Sequence, residues 1–167
     1  MAKMTEPLLY WEDLQEAETV EIGSHTFTQE EMIDFARQFD PQPFHVDPEA
    51  AKNSFFKGLI ASGWHTCAIA MRLMVDKYVN RSASLGSPGL DNIRWLAPVR
   101  VGDTITYRRT TTAARVSESK PDIGLLQSRW EALNQRGETV MTMEGWGMFR
   151  RRDPGKPVPS APGAPAR

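Results

Sequence analysis

The sequence predicts an α+β domain in which an antiparallel sheet is folded around one apolar helix. A helical periodicity follows Thr28, a charge-free apolar stretch runs from Gly58 to Met71, and alternating segments typical of long strands follow Ser84. The chain has 167 residues, of which 40% are hydrophobic, which is enough for one substantial core and short for two. We therefore expect one domain.

The first predicted helix begins after a capping box at residues 28–31, in which the Thr28 hydroxyl and the Glu31 carboxylate would each bind an amide of the first turn. Apolar residues then recur at helical spacing as far as Phe39. Pro41 disfavours a helical conformation at Asp40, so the helix should end there and lead into a loop.

The second predicted helix runs from Ser62, a candidate N-cap, to about Tyr78, and its residues leave little polar face. A helix of this kind should be surrounded by other structure. After it, apolar and polar residues alternate in three segments, which predicts long antiparallel strands joined at residues 117–122 and 134–137. These strands would surround the helix.

Composition and charge argue against several classes of partner. The formal net charge of −1 provides no broad basic surface for nucleic acid or an anionic membrane. The apolar stretch of 14 residues is too short to span a bilayer. The single cysteine, Cys67, cannot form an internal disulfide, and the N-terminus lacks the pattern of a signal peptide, so we expect a cytoplasmic protein.

The C-terminal end of the chain differs in composition from the rest. Residues 153–167 are mostly Pro, Ala, Gly and Ser, which cannot form a core. We therefore predict a folded domain over residues 1–152 and a flexible tail over residues 153–167.

Residues 40–47, with the sequence Asp-Pro-Gln-Pro-Phe-His-Val-Asp, combine two prolines, one histidine and two carboxylates. The prolines fix φ at two positions, which predicts a stiff, extended loop. Asp40 and His45 are the candidate acid and base, because a rigid loop holds such groups in place and histidine titrates near neutral pH. From the spacing alone, a proline-rich turn with a structural histidine is an equally good interpretation.

Three segments resemble the MaoC-like dehydratases, the family that includes the R-specific enoyl-CoA hydratases. Residues 35–47 are similar to the family's active-site segment, residues 58–63 to the entry to its central helix, and residues 91–103 to the strand and turn that follow that helix. The segments occur in the family's order, and the resemblance covers roughly residues 20–150.

The resemblance implies a hot-dog fold, in which an antiparallel sheet wraps a long central helix. It implies a hydratase or dehydratase that adds water to an enoyl thioester or removes it from a 3-hydroxyacyl thioester. Asp40 and His45 would hold and activate the water, and the Gly63 amide, at the positive end of a helix dipole, would polarise the thioester carbonyl. No cofactor is implied beyond coenzyme A as part of the substrate. Family members commonly dimerise, so we expect a homodimer or a higher assembly of dimers with sites at or near the subunit interface.

Four further residues are candidate substrate contacts. Gln42 stands where many hydratases of this family have Asn, and Ser62 precedes Gly63 where they often have His. Trp64 would lie near the acyl group. His65, in the first turn of the helix, would line the pocket, and a packed core histidine is the alternative and more common role for such a residue. The departures at Gln42 and Ser62 leave the Asp–His pair in place and concern the acyl group that is accepted.

Three other functions compete with this interpretation. Residues 45–47 match half of an iron-binding facial triad, but neither His25 nor His65 lies in the later strands where the third ligand is expected, so we predict no metal. A thioesterase of this fold would carry an acid in its central helix, and the charge-free stretch offers none. A non-catalytic thioester-binding subunit would not need both Asp40 and His45, and it stays open as an alternative.

Overall fold

The computed structural model of the protein describes residues 8–157. Four α-helices, five strands and two short 3-10 turns are present in this part of the chain. The helices are α1 (Gln29–Phe39), α2 (Pro43–Val46), α3 (Pro48–Lys52) and α4 (Gly63–Lys77); the strands are β1 (Val20–Thr26), β2 (Gly89–Trp95), β3 (Thr104–Val116), β4 (Ile123–Leu133) and β5 (Thr139–Arg150); the 3-10 turns are Trp11–Leu14 and Val79–Arg81.

The strands form one antiparallel sheet in the order β1-β3-β4-β5-β2, with α4 packed against it. The predicted alternation is clear in β4, where Leu126 and Ala132 are buried while Arg129 is exposed. Tyr107 of β3 is fully buried and donates its hydroxyl hydrogen to the carbonyl of Thr66 in α4 at 3.2 Å. This arrangement confirms the predicted α+β class.

Helix α1 begins and ends where its sequence predicts. The Thr28 hydroxyl accepts a hydrogen bond from the Glu31 amide at 3.3 Å, and the helix ends at Phe39 before Asp40. The second half of the predicted capping box does not form, because the Glu31 carboxylate lies 2.6 Å from Nε2 of His25 instead. Fully buried Met32 anchors the apolar face of the helix in the core.

Helix α4 has the predicted N-cap, since Oγ of Ser62 accepts from the Trp64 amide at 3.3 Å. Other structure was expected to surround this helix, and the sheet does pack against it. The sheet covers only one side of α4, so Trp64 remains 57% exposed and Met71 remains 46% exposed. The exposed side of α4 and the edge strand β2 form what we call the α4–β2 face, which contains Trp64, Met71, Leu90, Trp95 and Leu96.

The chain after β5 folds back on Arg151, which is only 7% exposed. The Arg151 guanidinium donates to the carbonyls of Asp153 and Lys156, at 3.3 and 2.8 Å. Residues 153–157 therefore have defined contacts, while the rest of the predicted tail, residues 158–167, lies outside the described residues. No helix within residues 8–157 has the length and apolar character that crossing a bilayer requires.

Candidate active site

The segment from Asp40 to Asp47 contains a helical turn where the sequence predicted an extended loop. Pro43 is the first residue of α2, and Pro48 is the first residue of α3. Proline is favoured at this position because its amide nitrogen would have no helical partner and its fixed φ suits the first turn. The short helix α2 turns His45 back toward Asp40, the residue that follows α1.

Asp40 and His45 form a close pair. Nε2 of His45 lies 3.3 Å from Oδ2 of Asp40, and the His45 residue is only 5% exposed. Nδ1 of His45 lies 2.8 Å from the carbonyl oxygen of Ile60. Because a carbonyl oxygen only accepts hydrogen bonds, Nδ1 carries a hydrogen, and in the neutral ring the lone pair is on Nε2, facing Asp40.

The Asp40 carboxylate accepts hydrogen bonds at both oxygens. Gln42 Nε2 donates to Oδ1 at 2.8 Å, and the Ser62 hydroxyl donates to Oδ2 at 2.7 Å. Partial burial of Asp40 raises its pKa, but the hydrogen bonds from Ser62 and Gln42 and the charge of His45 outweigh this effect, so that the pKa is lowered. Asp40 is therefore an anion near neutral pH.

Gly63 opens α4 beside this pair. Within residues 8–157 its amide donates to no protein acceptor, which leaves this amide free at the positive end of the helix dipole. Trp95 Nε1 donates to the carbonyl of Gly63 at 3.0 Å, and a Cβ on Gly63 would lie 2.4 Å from the Trp95 ring. The position therefore requires glycine because the indole occupies the space that a side chain would need.

A cavity of about 510 Å³ brings these groups together. Five of the seven predicted site residues line it: Asp40, Gln42, His45, Gly63 and Trp64. The volume falls within the range of ordinary small-molecule sites. The remaining wall is mostly apolar and comes from Phe44, Phe55, Phe56, Ile60, Ala61, Thr66, Trp95, Leu96, Ala97, Pro98, Val99 and Val140.

The structure does not bring Ser62 and His65 to the cavity. Ser62 is 0% exposed and lies behind Asp40, so it touches the carboxylate and not the cavity. His65 is 5% exposed, stacks on Phe35 with ring centroids 4.5 Å apart and meets the edge of Phe27 at 5.0 Å. Burial lowers the pKa of His65, whose Nδ1 has no hydrogen-bond partner among the described residues.

Comparison with known proteins places this arrangement in a family. The MaoC like domain family matches residues 14–123, well over half of the chain. The chain belongs to this family. The matched segment of the MaoC-like domain contains Asp40, His45 and Gly63 and ends at the start of β4.

Relatives of this MaoC-like domain include enzymes and a solved structure. The structure of the MaoC-like dehydratase from Rhodospirillum rubrum is similar with a TM-score of 0.78 and 38% identity, covering 86% of this chain and 98% of that one. The 3-hydroxyacyl-thioester dehydratase Z of Mycobacterium tuberculosis is 38% identical over 95 residues, 56% of this chain and 62% of the relative. The (R)-specific enoyl-CoA hydratase of Rhodospirillum rubrum is 29% identical over 113 residues, 63% of this chain and 71% of the relative. Some curated relatives are longer, and the aligned part of this chain spans as little as 19% of their length.

These similarities confirm the predicted family and the hot-dog fold. Sequence reasoning about this MaoC-like domain did not single out Trp95 as a site residue. Trp95 ends the edge strand β2 and is 47% exposed, and it contacts Gly63. The available signal was its position inside residues 91–103, one of the three segments that resemble the family.

A second cavity, of about 410 Å³, lies between the C-terminal half of α4 and the sheet of the MaoC-like domain. Its lining includes Met71 and Met74 of α4 and Leu90 of β2, and it shares no residue with the cavity at Asp40. Within residues 8–157, no group of three or more His, Cys, Asp or Glu residues is arranged to hold a metal ion.

Proposed function

We propose that the protein is a hydratase or dehydratase that adds water to an enoyl thioester, or removes it from a 3-hydroxyacyl thioester, through Asp40 and His45. The observation that carries this proposal is the buried contact of 3.3 Å between Asp40 Oδ2 and His45 Nε2, in a cavity that Gly63 also lines. The names of two relatives, a 3-hydroxyacyl-thioester dehydratase and an enoyl-CoA hydratase, support this reaction class.

The Asp40–His45 pair supplies both proton transfers of the hydration. One member takes a proton from water as the water oxygen bonds to the β-carbon, and the other gives a proton to the α-carbon. The elements of one water molecule are added, and the protein gains no net proton. Dehydration is the reverse sequence of the same transfers.

The free amide of Gly63 stabilises the charge that develops on the thioester. When oxygen adds to the β-carbon, negative charge builds on the carbonyl oxygen until the α-carbon is protonated. A preorganised donor at a helix N-terminus binds this oxygen more strongly in the transition state than in the substrate, and such donors typically contribute about 10²–10³ in rate. Aromatic side chains of the cavity wall, among them Phe44 and Trp95, limit competing bulk water.

Coenzyme A would enter as part of the substrate, and we propose no separate cofactor. The apolar wall and few polar groups of the cavity suit an acyl group, whose thioester oxygen would bind Gly63. Gln42 and Trp64 line the same cavity and are the proposed substrate contacts among the predicted residues.

A second copy of the chain would cover the α4–β2 face. β2 is an edge strand, so one side of its backbone has no partner within the sheet. Beside it, Leu90 and Trp95 are each 47% exposed, which is unusual for a cluster of large apolar residues on a monomer. Both cavities are lined by residues of α4 and β2. A homodimer through this face would therefore place both cavities of each chain at or near the subunit interface.

The experiment that tests the function uses purified full-length protein and a panel of enoyl-CoA chain lengths. Hydration is followed as loss of the enoyl-thioester absorbance, and release of free thiol is measured in parallel. We expect absorbance to fall with no thiol released. Thiol release in place of hydration would indicate a thioesterase, and binding without either reaction would indicate a non-catalytic subunit.

A further inference from the structure

Ser62 lies at the junction between Asp40 and the first turn of α4. Its side chain is fully buried and does not line the cavity. Its hydroxyl hydrogen is donated to Asp40 Oδ2 at 2.7 Å, while its Oγ accepts from the Trp64 amide at 3.3 Å. Because the hydroxyl has a single hydrogen, Ser62 acts on the carboxylate and has no hydrogen left for a ligand.

The Asp40–His45 pair can hold one transferable proton in two places. His45 Nδ1–H is bound to the Ile60 carbonyl, so proton transfer takes place at Nε2, which faces Asp40 Oδ2. When the pair holds that one proton, it lies either on Oδ2 or on Nε2. A carboxylate is a stronger acceptor than a neutral carboxyl group, so every hydrogen bond that Asp40 accepts favours the proton on His45.

Ser62 and Gln42 differ in how strongly they act on this equilibrium. Gln42 is exposed and donates to Oδ1, which is not the oxygen paired with Nε2. Ser62 is buried and donates to Oδ2, the same oxygen that faces Nε2. A hydrogen bond in a buried, low-dielectric position is electrostatically stronger than one in contact with water. Ser62 is therefore the stronger of the two.

We propose that Ser62 is a positioning residue that keeps the shared proton on Nε2 of His45 and leaves Asp40 as the anion. This inference rests on the proposed function and assigns its two proton transfers. In hydration, Asp40 accepts a proton from water as the water oxygen bonds to the β-carbon, and His45 Nε2 donates its proton to the α-carbon. The proton on Asp40 then returns to Nε2, so one water is consumed and the protein is restored.

Apart from His45, the groups that stabilise the Asp40 anion are the hydrogen-bond donors Ser62 and Gln42. His45 is the charged group that acts on Asp40 among the described residues. Other titratable groups on the neighbouring elements interact elsewhere: Arg37 with Asp34, Asp47 with amides of α3, and His65 with His25 and Glu31.

The test compares Ser62→Ala with the wild type in two measurements. The first is the pH profile of kcat/KM for enoyl-CoA hydration, and the second is ¹⁵N NMR of the His45 ring in the free protein. Losing the Ser62 hydrogen bond destabilises the Asp40 anion, so the acid limb of the profile should move to higher pH by about one unit. The NMR spectrum should show less protonated Nε2 at a given pH, whether or not the protein is active.

Further variants separate this role from helix capping and from the effect of Gln42. Ser62→Thr keeps the hydroxyl and should restore the wild-type profile. Thr28→Ala removes the N-cap of α1, which lies about 18 Å from Asp40 along the helix axis. This variant should lower the melting temperature without moving the pH profile. Gln42→Leu should move the acid limb in the same direction as Ser62→Ala, by a smaller amount. Ser62→Cys, a weak donor of similar size, replaces Ser62→Ala if that variant does not fold.

An unchanged acid limb together with an unchanged His45 spectrum in Ser62→Ala, or in Ser62→Cys where that variant replaces it, overturns the assignment. A profile that shifts equally in Thr28→Ala also overturns it, because the shift would then follow helix capping. If the wild type hydrates no enoyl-CoA but the His45 spectrum still changes as expected, the proposed function fails while the role of Ser62 stands.

Discussion

His45 is oriented by a main-chain group. Its Nδ1–H donates to the Ile60 carbonyl, and the Ile60 segment is itself held by a bridge to Arg100 and by the hydrogen bond from the Ala61 amide to Val99 at 2.9 Å. Any residue at position 60 would supply the same carbonyl. The tautomer of His45 is therefore set by a main-chain carbonyl, which the residue types in the sequence do not reveal.

At the residue scale, the first prediction concerns Asp40→Asn and His45→Gln. Each substitution should lower turnover by about 10²–10⁴-fold, because each removes one proton transfer from the same transition state. The double variant should be scarcely slower than either single variant, since the two groups act as a unit. Single-turnover hydration rates of the three variants, with their melting temperatures, provide the measurement. Losses that multiply in the double variant would show that the two groups do not act as a unit, and near-wild-type turnover in either single variant would remove that residue from the mechanism.

The second prediction concerns His65 and stability. Burial holds its pKa in the folded protein below the ordinary 6.5, so the unfolded chain binds the proton more readily. The free energy of unfolding should therefore be unaffected above about pH 6.5 and should fall below it, by at most about 1.4 kcal/mol per pH unit. Chemical denaturation between pH 7 and about pH 5 should show this slope in the wild type and a flatter one in His65→Leu. The pKa of Asp40 is lowered from 3.8, so its contribution to the free energy of unfolding is lost only at pH values below this range. An equal slope in both proteins would assign the acid sensitivity to other groups.

The sequence identified the groups of the site better than their arrangement. Asp40 and His45 were recognisable because their residue types suit proton transfer and their spacing matches the family. The sequence left two positions open for His65, the pocket and the packed core, and the structure places its ring against Phe27 and Phe35. The direction of a side chain in a first turn depends on the packing of the neighbouring helix, which periodicity alone does not give.

At the element scale, the N-terminus of α4 depends on the contact between Gly63 and Trp95. Gly63→Ala would place a Cβ 2.4 Å from the indole, so the ring or the helix must move. We expect a loss of about 1–3 kcal/mol in the free energy of unfolding and a loss of hydration activity. Adding Trp95→Leu should recover most of the stability, because it removes the ring that the new methyl group meets.

Gly155→Ala is the matched control for this prediction. A Cβ at Gly155 meets nothing within 4 Å, and the residue is not in the left-handed region, so stability should not change. Equal effects of Gly63→Ala and Gly155→Ala in denaturant titrations would show that the Trp95 contact is not the cause.

The C-terminal segment is the subject of the next prediction. Truncation after Arg152 removes three carbonyls that the buried Arg151 guanidinium binds, those of Asp153, Pro154 and Lys156. Leaving charged donors without partners should lower the free energy of unfolding by about 1–3 kcal/mol. Truncation after Pro157 keeps these acceptors and should leave the free energy of unfolding nearly unchanged, and urea titrations of both truncated proteins measure the difference. Equal stability of the two truncated proteins would show that the domain ends at Arg152, as composition alone predicts.

The prolines show why element boundaries were only partly predictable. Pro41 ended α1 as expected, because it disfavours a helical conformation at Asp40. Pro43 was expected to keep the segment extended, yet it begins a helical turn. Proline has the same φ in both situations, and the outcome depends on whether residues after it find helical hydrogen bonds. In α2 the Asp47 amide finds the Pro43 carbonyl at 2.9 Å, which the sequence pattern did not indicate.

At the scale of the whole molecule, the apolar character of α4 has two causes that the sequence cannot separate. One side faces the sheet, where Ala70 and Met74 are buried. The other side belongs to the α4–β2 face, where Trp64 and Met71 stay exposed. Both sides contribute apolar residues to the same periodic pattern, so the pattern predicted a helix surrounded by other structure and did not indicate that one side stays exposed in the single chain. The alternation of apolar and polar residues predicts strands but not their order in the sheet. It therefore could not show that β2 is an edge strand next to α4.

The last prediction follows from this exposed side. Met71→Asp places a charge on a residue that is 46% exposed, so the charge stays hydrated in the single chain and the fold should persist. In a dimer through the α4–β2 face, the same charge would be buried against its two-fold copy, which costs several kcal/mol and should prevent association. Light scattering after size exclusion should report a dimer for the wild type and a folded monomer for Met71→Asp, with circular dichroism confirming the fold. Val20→Asp, at the opposite edge of the sheet on a residue that is 40% exposed, should remain dimeric. A dimer that survives Met71→Asp but not Val20→Asp would place the interface at β1, and the active-site cavity would then be complete within one chain.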